Sequence, residues 1–283
     1  STPIHLYRPL HTLKPFGSNI WIADGGIVRM AFPLGLSIPF STRMTVIRLA
    51  DGGLWCHSPI EPNPELLSQI NALGEVRHLV SPNRIHYAHI PAWQKHYPQA
   101  TAWASLGVRE RAAAQRIAVA FDADLGSSAP AQWADDIAQL PFLGSPVMTE
   151  TVFFHRASRT LILTDLIENF EPNKFPSRFW AQVMKWVGIA EPDGKTPPDW
   201  RATFRNRAAA RELTAAPNAR IRPLDRLERH DGTILYNGGL PDIETSDLAR
   251  HLKAILHIRA LGIRGGRLVS VPAAGMSGRM SAV

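Results

Sequence analysis

Cysteine is nearly missing from this 283-residue chain, where Cys56 stands alone. A single thiol excludes an intrachain disulfide and any zinc site built on paired cysteines, and a reducing cytoplasm is the default compartment for such a sequence. Cys56 follows Trp55 in an apolar run, where a free cysteine serves as an inert packing group rather than a nucleophile. Apolar runs of membrane-crossing length are also missing, so no membrane span is expected. No charged start followed by an apolar stretch is present, although the chain begins at Ser1 and a signal already removed would leave no trace. There is no Gly-x-Ser-x-Gly elbow, no phosphate-cradling glycine loop and no Gly-x-Gly-x-x-Gly run. The usual local signs of a serine hydrolase, a nucleotide hydrolase and a dinucleotide enzyme are therefore lacking. Internal repeats and long low-complexity tracts do not occur either.

What is present is material for a core. Hydrophobic residues make up 45% of the chain and charged residues 19%, a balance that excludes disorder throughout. The length exceeds a typical domain but suits a layered α/β fold with extensions at both ends, so one main core is expected. Lysine and arginine total 31 against 24 acidic residues, a net +7 that favours the approach of anions of any kind. Arg201, Arg205, Arg207 and Arg211 stand among alanines at the spacing of a solvated helix face, not as a basic stripe interleaved with aromatics. Nucleic acid is thus not indicated as a partner.

The order of elements follows from periodicity. Residues 43–49 and 54–57 are two apolar β-rich runs around Asp51-Gly52-Gly53, a hairpin signal. Leu66, Leu67, Ile70 and Leu73 predict a helix over 64–73 closed by Gly74, and 76–80 a short buried strand. A loop from Ser81 to His89 leads to a helix over 90–96, ended by Tyr97-Pro98, and a strand over 100–104. Such alternation argues for a buried sheet with helices packed on it and ligands at the loops that follow the strands. A second hairpin runs from 151–154 through 155–158 to 159–164 and delivers Asp165 at a strand end. Beyond it, Phe179, Trp180, Val183, Met184 and Val187 form one helical face, and a proline- and glycine-containing connection over 191–198 breaks the helix. This helical pair could cover a pocket or support a homodimer contact. From about residue 262 the sequence is rich in glycine, arginine, serine and alanine without periodicity, as in a flexible tail.

The runs Arg43-Met44-Thr45-Val46-Ile47-Arg48-Leu49, Leu54-Trp55-Cys56-His57-Ser58-Pro59, Leu79-Val80-Ser81-Pro82-Asn83 with His86, and Thr160-Leu161-Ile162-Leu163-Thr164-Asp165 occur in that order. They resemble an uncharacterised bacterial domain-of-unknown-function family that looks like a degenerate branch of the metallo-β-lactamase superfamily, over roughly residues 10 to 170. The resemblance implies a mixed α/β (α+β) fold, a four-layer αββα sandwich with a helical C-terminal extension and a metal site at one edge of two sheets. On this reading a single domain spans 1–261, with its core at about 10–170 and a helical cover at about 171–261, and 262–283 is a tail. The superfamily's His-x-His-x-Asp-His motif, aligned with Ser81 in the place of the preceding threonine, puts Pro82 and Arg84 at the first two histidines, His86 at the aspartate and Tyr87 at the last histidine. A later Gly-His pair falls near Gly144-Ser145. Asp165 matches the aspartate that bridges two metals, and His230-Asp231-Gly232 corresponds to a closing His-Gly.

What survives is a partial site. His86 and His89, three residues apart, can direct two imidazoles to one cation, and Asp165 would be a third ligand, leaving a position for water. A metal so held makes that water a nucleophile near neutral pH and polarises a carbonyl. The expected cofactor is one divalent ion: oxygen ligands and few imidazoles favour calcium or magnesium, while His86 keeps zinc open. Asp165, His86 and Tyr87 are the candidate catalytic residues. Tyr87 could donate a proton to a leaving alkoxide or stabilise an oxyanion. His57, Asn83 and Arg84 are the substrate-binding candidates, and the metal set is His86, His89, Asp165 and His230. The plainer alternatives are that the histidines cap helices and that Arg43, Arg84 or Arg159 pairs with Asp165. By analogy with the superfamily's lactonases and thioesterases, the expected activity is opening of a small-molecule ester or lactone, acyl-homoserine-lactone-like compounds included. The alternative is a metal-free, catalytically degenerate protein that binds a small molecule or a partner through the old pocket, favoured by Pro82, Arg84 and Ser145.

Overall fold

In the computed structural model the residues described are 6–31, 37–143, 145–158, 160–166, 178–187, 198–203, 233–236, 243–244, 267–269 and 280–282. The chain divides into two units, one of Leu6–Gly126 with Ala274–Val283 and one of Ser127–Ala273 with Ser1–His5. The protein is mixed α/β, as the periodicity requires, with an eight-stranded sheet in the first unit and a six-stranded sheet in the second.

In the first unit β1 (Lys14–Gly17), β2 (Ile20–Ala31), β3 (Ser37–Arg48) and β4 (Leu54–His57) form an antiparallel meander. The hairpin between β3 and β4 pairs Thr45 with His57. Its turn depends on Gly52, whose φ of +85 is open to glycine and costly to other residues. From β4 onward the pairing turns parallel through helices. The order is β4, α1 (Pro64–Leu73), β5 (Val76–Ser81), α2 (Ile90–His96), β6 (Thr101–Ala104), α3 (Val108–Ala114) and β7 (Ala123–Asp124). Helix α1 starts where Asn63 Oδ1 accepts the Leu66 N–H at 2.8 Å, with Pro64 in the first turn, and stops where the Gly74 N–H returns to Ile70 O. Gly74 is required sterically, because a Cβ there would lie 2.7 Å from Gly52 O.

Both faces of β4 are buried, for different reasons. Leu54 and Cys56 share a core with Val76, Leu79, Ala102 and Ala104 of the sheet and with Leu66, Ile70, Ile90, Trp93, Val108 and Ala112 of the three helices. The register shift between Leu54 and Trp55 lets β5 present Val76 and Leu79 to this core although they are three apart. Burial pushes the Cys56 thiol up, so it stays protonated, in keeping with its packing role. On the other face lie Trp55, His57, His78 and Trp103, each less than a tenth exposed. Where the meander begins, Asp24 is buried and accepts from Arg43 Nε at 2.6 Å and Lys14 Nζ at 2.7 Å. Arg43, one of the partners considered for Asp165, thus has its ion pair with Asp24.

In the second unit β8 (Ile137–Phe142), β9 (Glu150–His155) and β10 (Thr160–Leu163) run antiparallel. Parallel to β10 follow β11 (Thr233–Tyr236) and β13 (Arg267–Val269), and β12 (Ile243–Glu244) closes the sheet antiparallel to β13. Within 171–261, read as helical from sequence, the described elements are helices α4 (Arg178–Val187) and α5 (Pro198–Thr203) together with β11 and β12. Within 262–283, read as a tail, lie β13 and a last strand, Met280–Ala282, that pairs with β2. Backbone pairing supplies what those short runs lack in side-chain periodicity. On α4, Phe179, one of the residues of the face read from sequence, is exposed, as is Trp186, while Ala181 is buried. No helix among the described residues is long and apolar enough to cross a membrane.

A pH dependence follows from the far side of β5. The Trp103 indole N–H donates to His78 Nδ1 at 3.2 Å, and burial holds that imidazole down at about 4, with Asp51 raising it and Arg77 lowering it. The unfolded chain takes up the proton near the ordinary value of about 6.5 and the folded chain resists it. Stability is therefore full above that value and falls as pH drops from about 6.5 to 4. Denaturant unfolding across this window is expected to show a His78-dependent loss on the order of 2 kcal/mol. The loss should shrink in His78→Gln, which keeps an acceptor for Trp103, and an unchanged pH slope in that variant contradicts the assignment.

Candidate functional site

The parallel strands β4, β5 and β6 end side by side, and the ladder continues past them. The Ser58 N–H donates to Val80 O at 2.9 Å and the Ser105 N–H to Ser81 O at 3.2 Å. This carboxyl edge is where polar side chains can gather without interrupting the sheet. Ser58 takes a left-handed φ of +51, which costs a non-glycine residue on the order of 1 kcal/mol, and Pro59 narrows its backbone choices further. Its hydroxyl lies 2.6 Å from Nδ1 of His86.

The loop after β5 is folded around Asn83. The Ser81 hydroxyl donates to Asn83 O at 2.9 Å, and Asn83 Oδ1 accepts the N–H groups of Ile85 at 3.0 Å and His86 at 3.2 Å. This Asx-type turn fixes an alternation in which Asn83, Ile85 and Tyr87 are buried while Arg84 and His86 are half-buried. The turn and the serine together hold the His86 backbone and ring. His57, one residue before Ser58, is fully buried and stacks on Trp55 at 5.4 Å between centroids. Burial holds its imidazole well below the ordinary value, and the charge of His86 pushes the same way. His57 is therefore a neutral ring beside His86.

The other expected residues are placed as follows. Tyr87 has its ring in the core and donates its hydroxyl to Gln115 Oε1 at 2.8 Å, with burial raising its pKa. Arg84 and Arg111 both act on that phenol, and Arg111 is lowered by burial and by the like charge of Arg84. His89 stands at the N-cap of α2 without a side-chain capping bond, and burial lowers its imidazole. Asp165 belongs to the second unit. There the Glu150 carboxylate, fully buried, accepts from the backbone N–H groups of Thr164, Asp165 and Leu166 at 2.8, 2.7 and 3.0 Å. Ser145 is engaged with Thr203 and with the N–H groups of Val147 and Met148. Gly144, Arg159 and His230 lie outside the described residues.

Among the described residues no three histidine, cysteine, aspartate or glutamate side chains gather as a group able to hold a divalent cation, and Nδ1 of His86 is engaged by Ser58. Ser58 and Glu150 were not among the residues singled out from sequence. A serine before a proline at a strand end carries no specific signal, and Glu150 differs from any surface glutamate only in its tertiary partners.

Asn83→Ala is expected to lower stability by about 1–3 kcal/mol, since one buried and one part-buried N–H group lose their acceptor, whereas Asn83→Asp keeps the turn; chemical denaturation of the two variants checks this. Glu150→Gln is expected to cost about 3 kcal/mol, because an amide NH2 would face a backbone donor in place of an oxygen. Thermal unfolding that left Glu150→Gln unchanged would contradict the bonding described.

No curated protein matches the chain. Among solved structures it is similar to a metallo-β-lactamase from Pontibacter korlensis, at 15% identity and TM-score 0.43 over 58% of this chain and 73% of that one. It is also similar to the DIM-1 metallo-β-lactamase, at 14% and 0.46 over 76% and 88%. A third is a metallo-β-lactamase from Hirschia baltica, at 13% and 0.42 over 74% and 97%. The family model described as "Domain of unknown function (DUF4336)" matches residues 33–179, more than half of the sequence, and the chain belongs to that family.

Proposed function

We propose that the carboxyl edge of β4–β6 binds and hydrolyses a small ester or lactone, with His86 as the group that accepts and returns the proton. The observation that supports this is the setting of His86: half-buried, with its backbone N–H on Asn83 Oδ1 and its ring on the Ser58 hydroxyl at 2.6 Å. A general base needs a fixed imidazole within hydrogen-bond reach of the proton it removes, with an open side for substrate. Esters and lactones suit such a site because their leaving alkoxide is better than an amine. A neutral His57 beside it leaves the charge that develops on His86 unopposed by a second imidazolium.

The described residues do not form a metal centre, so the reading uses imidazole chemistry alone. Thr45 Oγ1, across from His57 in the hairpin, and Ser105 Oγ, just past β6, are buried without a hydrogen-bond partner among the described residues. That favours a second reading in which a polar small molecule is bound without turnover.

The test is hydrolysis of a panel of simple lactones and aryl esters by the full chain. The expected result is turnover that survives a chelator and falls on the order of a hundredfold in His86→Ala, with an unchanged melting temperature. Activity lost on chelation and restored by zinc overturns the metal-independent reading. Saturable binding without hydrolysis selects the second one.

A further inference from the structure

We propose that Ser58 is a nucleophile and that its hydroxyl, activated by His86, carries the acyl group through a covalent acyl-serine. The ester or lactone substrate rests on the reading above; the reactivity of Ser58 rests on geometry alone. The 2.6 Å separation between Ser58 Oγ and His86 Nδ1 is at the short end for a hydroxyl–imidazole bond and is what proton removal requires. The two residues are 28 apart in sequence and come from the ends of adjacent parallel strands, so the bond is no local turn device. Ser58 holds its left-handed backbone immediately after a strand and before a proline. A strained strand-to-loop turn lifts a side-chain oxygen out of the sheet, and such strain concentrates at reactive positions.

A second serine–histidine pair in the same chain gives the contrast. His155 Nδ1 and Ser158 Oγ are also 2.6 Å apart, but Ser158 Oγ bonds Thr160 Oγ1 at 2.7 Å as well, and Ser158 sits in the tight turn between His155, the last residue of β9, and Thr160, the first of β10. That network joins the two strand ends across a hairpin. Ser58 instead joins a strand end to a loop that Asn83 fixes from the other side.

In the proposed sequence Ser58 Oγ bonds to the carbonyl carbon of the ester as its proton passes to His86 Nδ1. The tetrahedral carbon then expels the alkoxide, which takes that proton from His86. Water attacks the acyl carbon and gives a proton to His86, and the bond between that carbon and Ser58 Oγ breaks. Ser58 Oγ recovers the proton and the carboxylic acid leaves.

The experiment treats the full chain with an alkyl fluorophosphonate, in which Ser58 Oγ bonds to phosphorus and fluoride leaves, and locates the adduct by peptide mass spectrometry. One adduct on the peptide bearing Ser58 is expected, forming on the order of a hundredfold more slowly in His86→Gln. It should be absent from Ser58→Ala and unaffected by Ser158→Ala. Ser58→Gly, which accepts φ +51 readily, serves as the unlabelled control if Ser58→Ala fails to fold. No adduct on the folded wild type, or one on the Ser158 peptide, overturns the proposal. So does ester hydrolysis that persists in Ser58→Ala while failing in His86→Ala, a result that leaves the hydrolase reading standing with water as its nucleophile. Labelling of Ser58 without hydrolysis of any lactone or ester supports the nucleophile and removes the substrate class instead.

Discussion

Three parallel strands with their carboxyl ends aligned carry most of what is distinctive about the Leu6–Gly126 unit. The alignment comes from β4, β5 and β6 each being followed by a helix that packs back on the same face of the sheet. Burial of Leu66 and Ile70, Ile90 and Trp93, Val108 and Ala112 against that face drives the arrangement, at about 1.5–3 kcal/mol for each large side chain fully buried. Trp93 adds direction by donating its indole N–H to Ile60 O at 2.6 Å, which ties α2 to the chain just past Ser58. With the strands in register, the residues that follow them share one edge.

That edge is polar because hydrogen bonds there offset the cost of burial. Ser81 supports Asn83, Asn83 holds the His86 backbone, and Ser58 meets the His86 ring. Burial also acts on protonation: His57, His78, His89 and His155 are all held below the ordinary imidazole value, with desolvation as the first cause. Most of the described histidine shifts thus reflect packing. His86 differs in its surroundings, being half-buried with a hydroxyl partner 28 residues away in sequence.

Glu150 plays in the second unit the part that Asn83 plays in the first. A buried side chain collects the backbone N–H groups of a segment leaving a strand, here Thr164 to Leu166 after β10. The position of the Asp165 backbone is set by this carboxylate. The apolar run Leu161-Ile162-Leu163 brings the chain into the sheet, and Glu150 decides how it leaves.

The sequence by itself determined the alternation of strand and helix from 43 to 104. The hairpin at Asp51-Gly52-Gly53, the helix over 64–73 with its Gly74 stop and the helix over 90–96 occur where periodicity and turn chemistry place them, because these signals act within a few residues. Family membership was legible for the same reason, since ordered short blocks carry it, and the family match at 33–179 overlaps the range read from those blocks. Tertiary structure alone decided which polar residues meet. It took Tyr87 into the core with Gln115, paired Arg43 with Asp24, and brought Ser58 to His86. It also made strands of Thr233–Tyr236 and Met280–Ala282, short runs whose pairing partners lie far away in sequence. Side-chain meetings of this kind depend on the register of strands separated by dozens of residues, and no local pattern encodes a partner that only a shared sheet edge supplies.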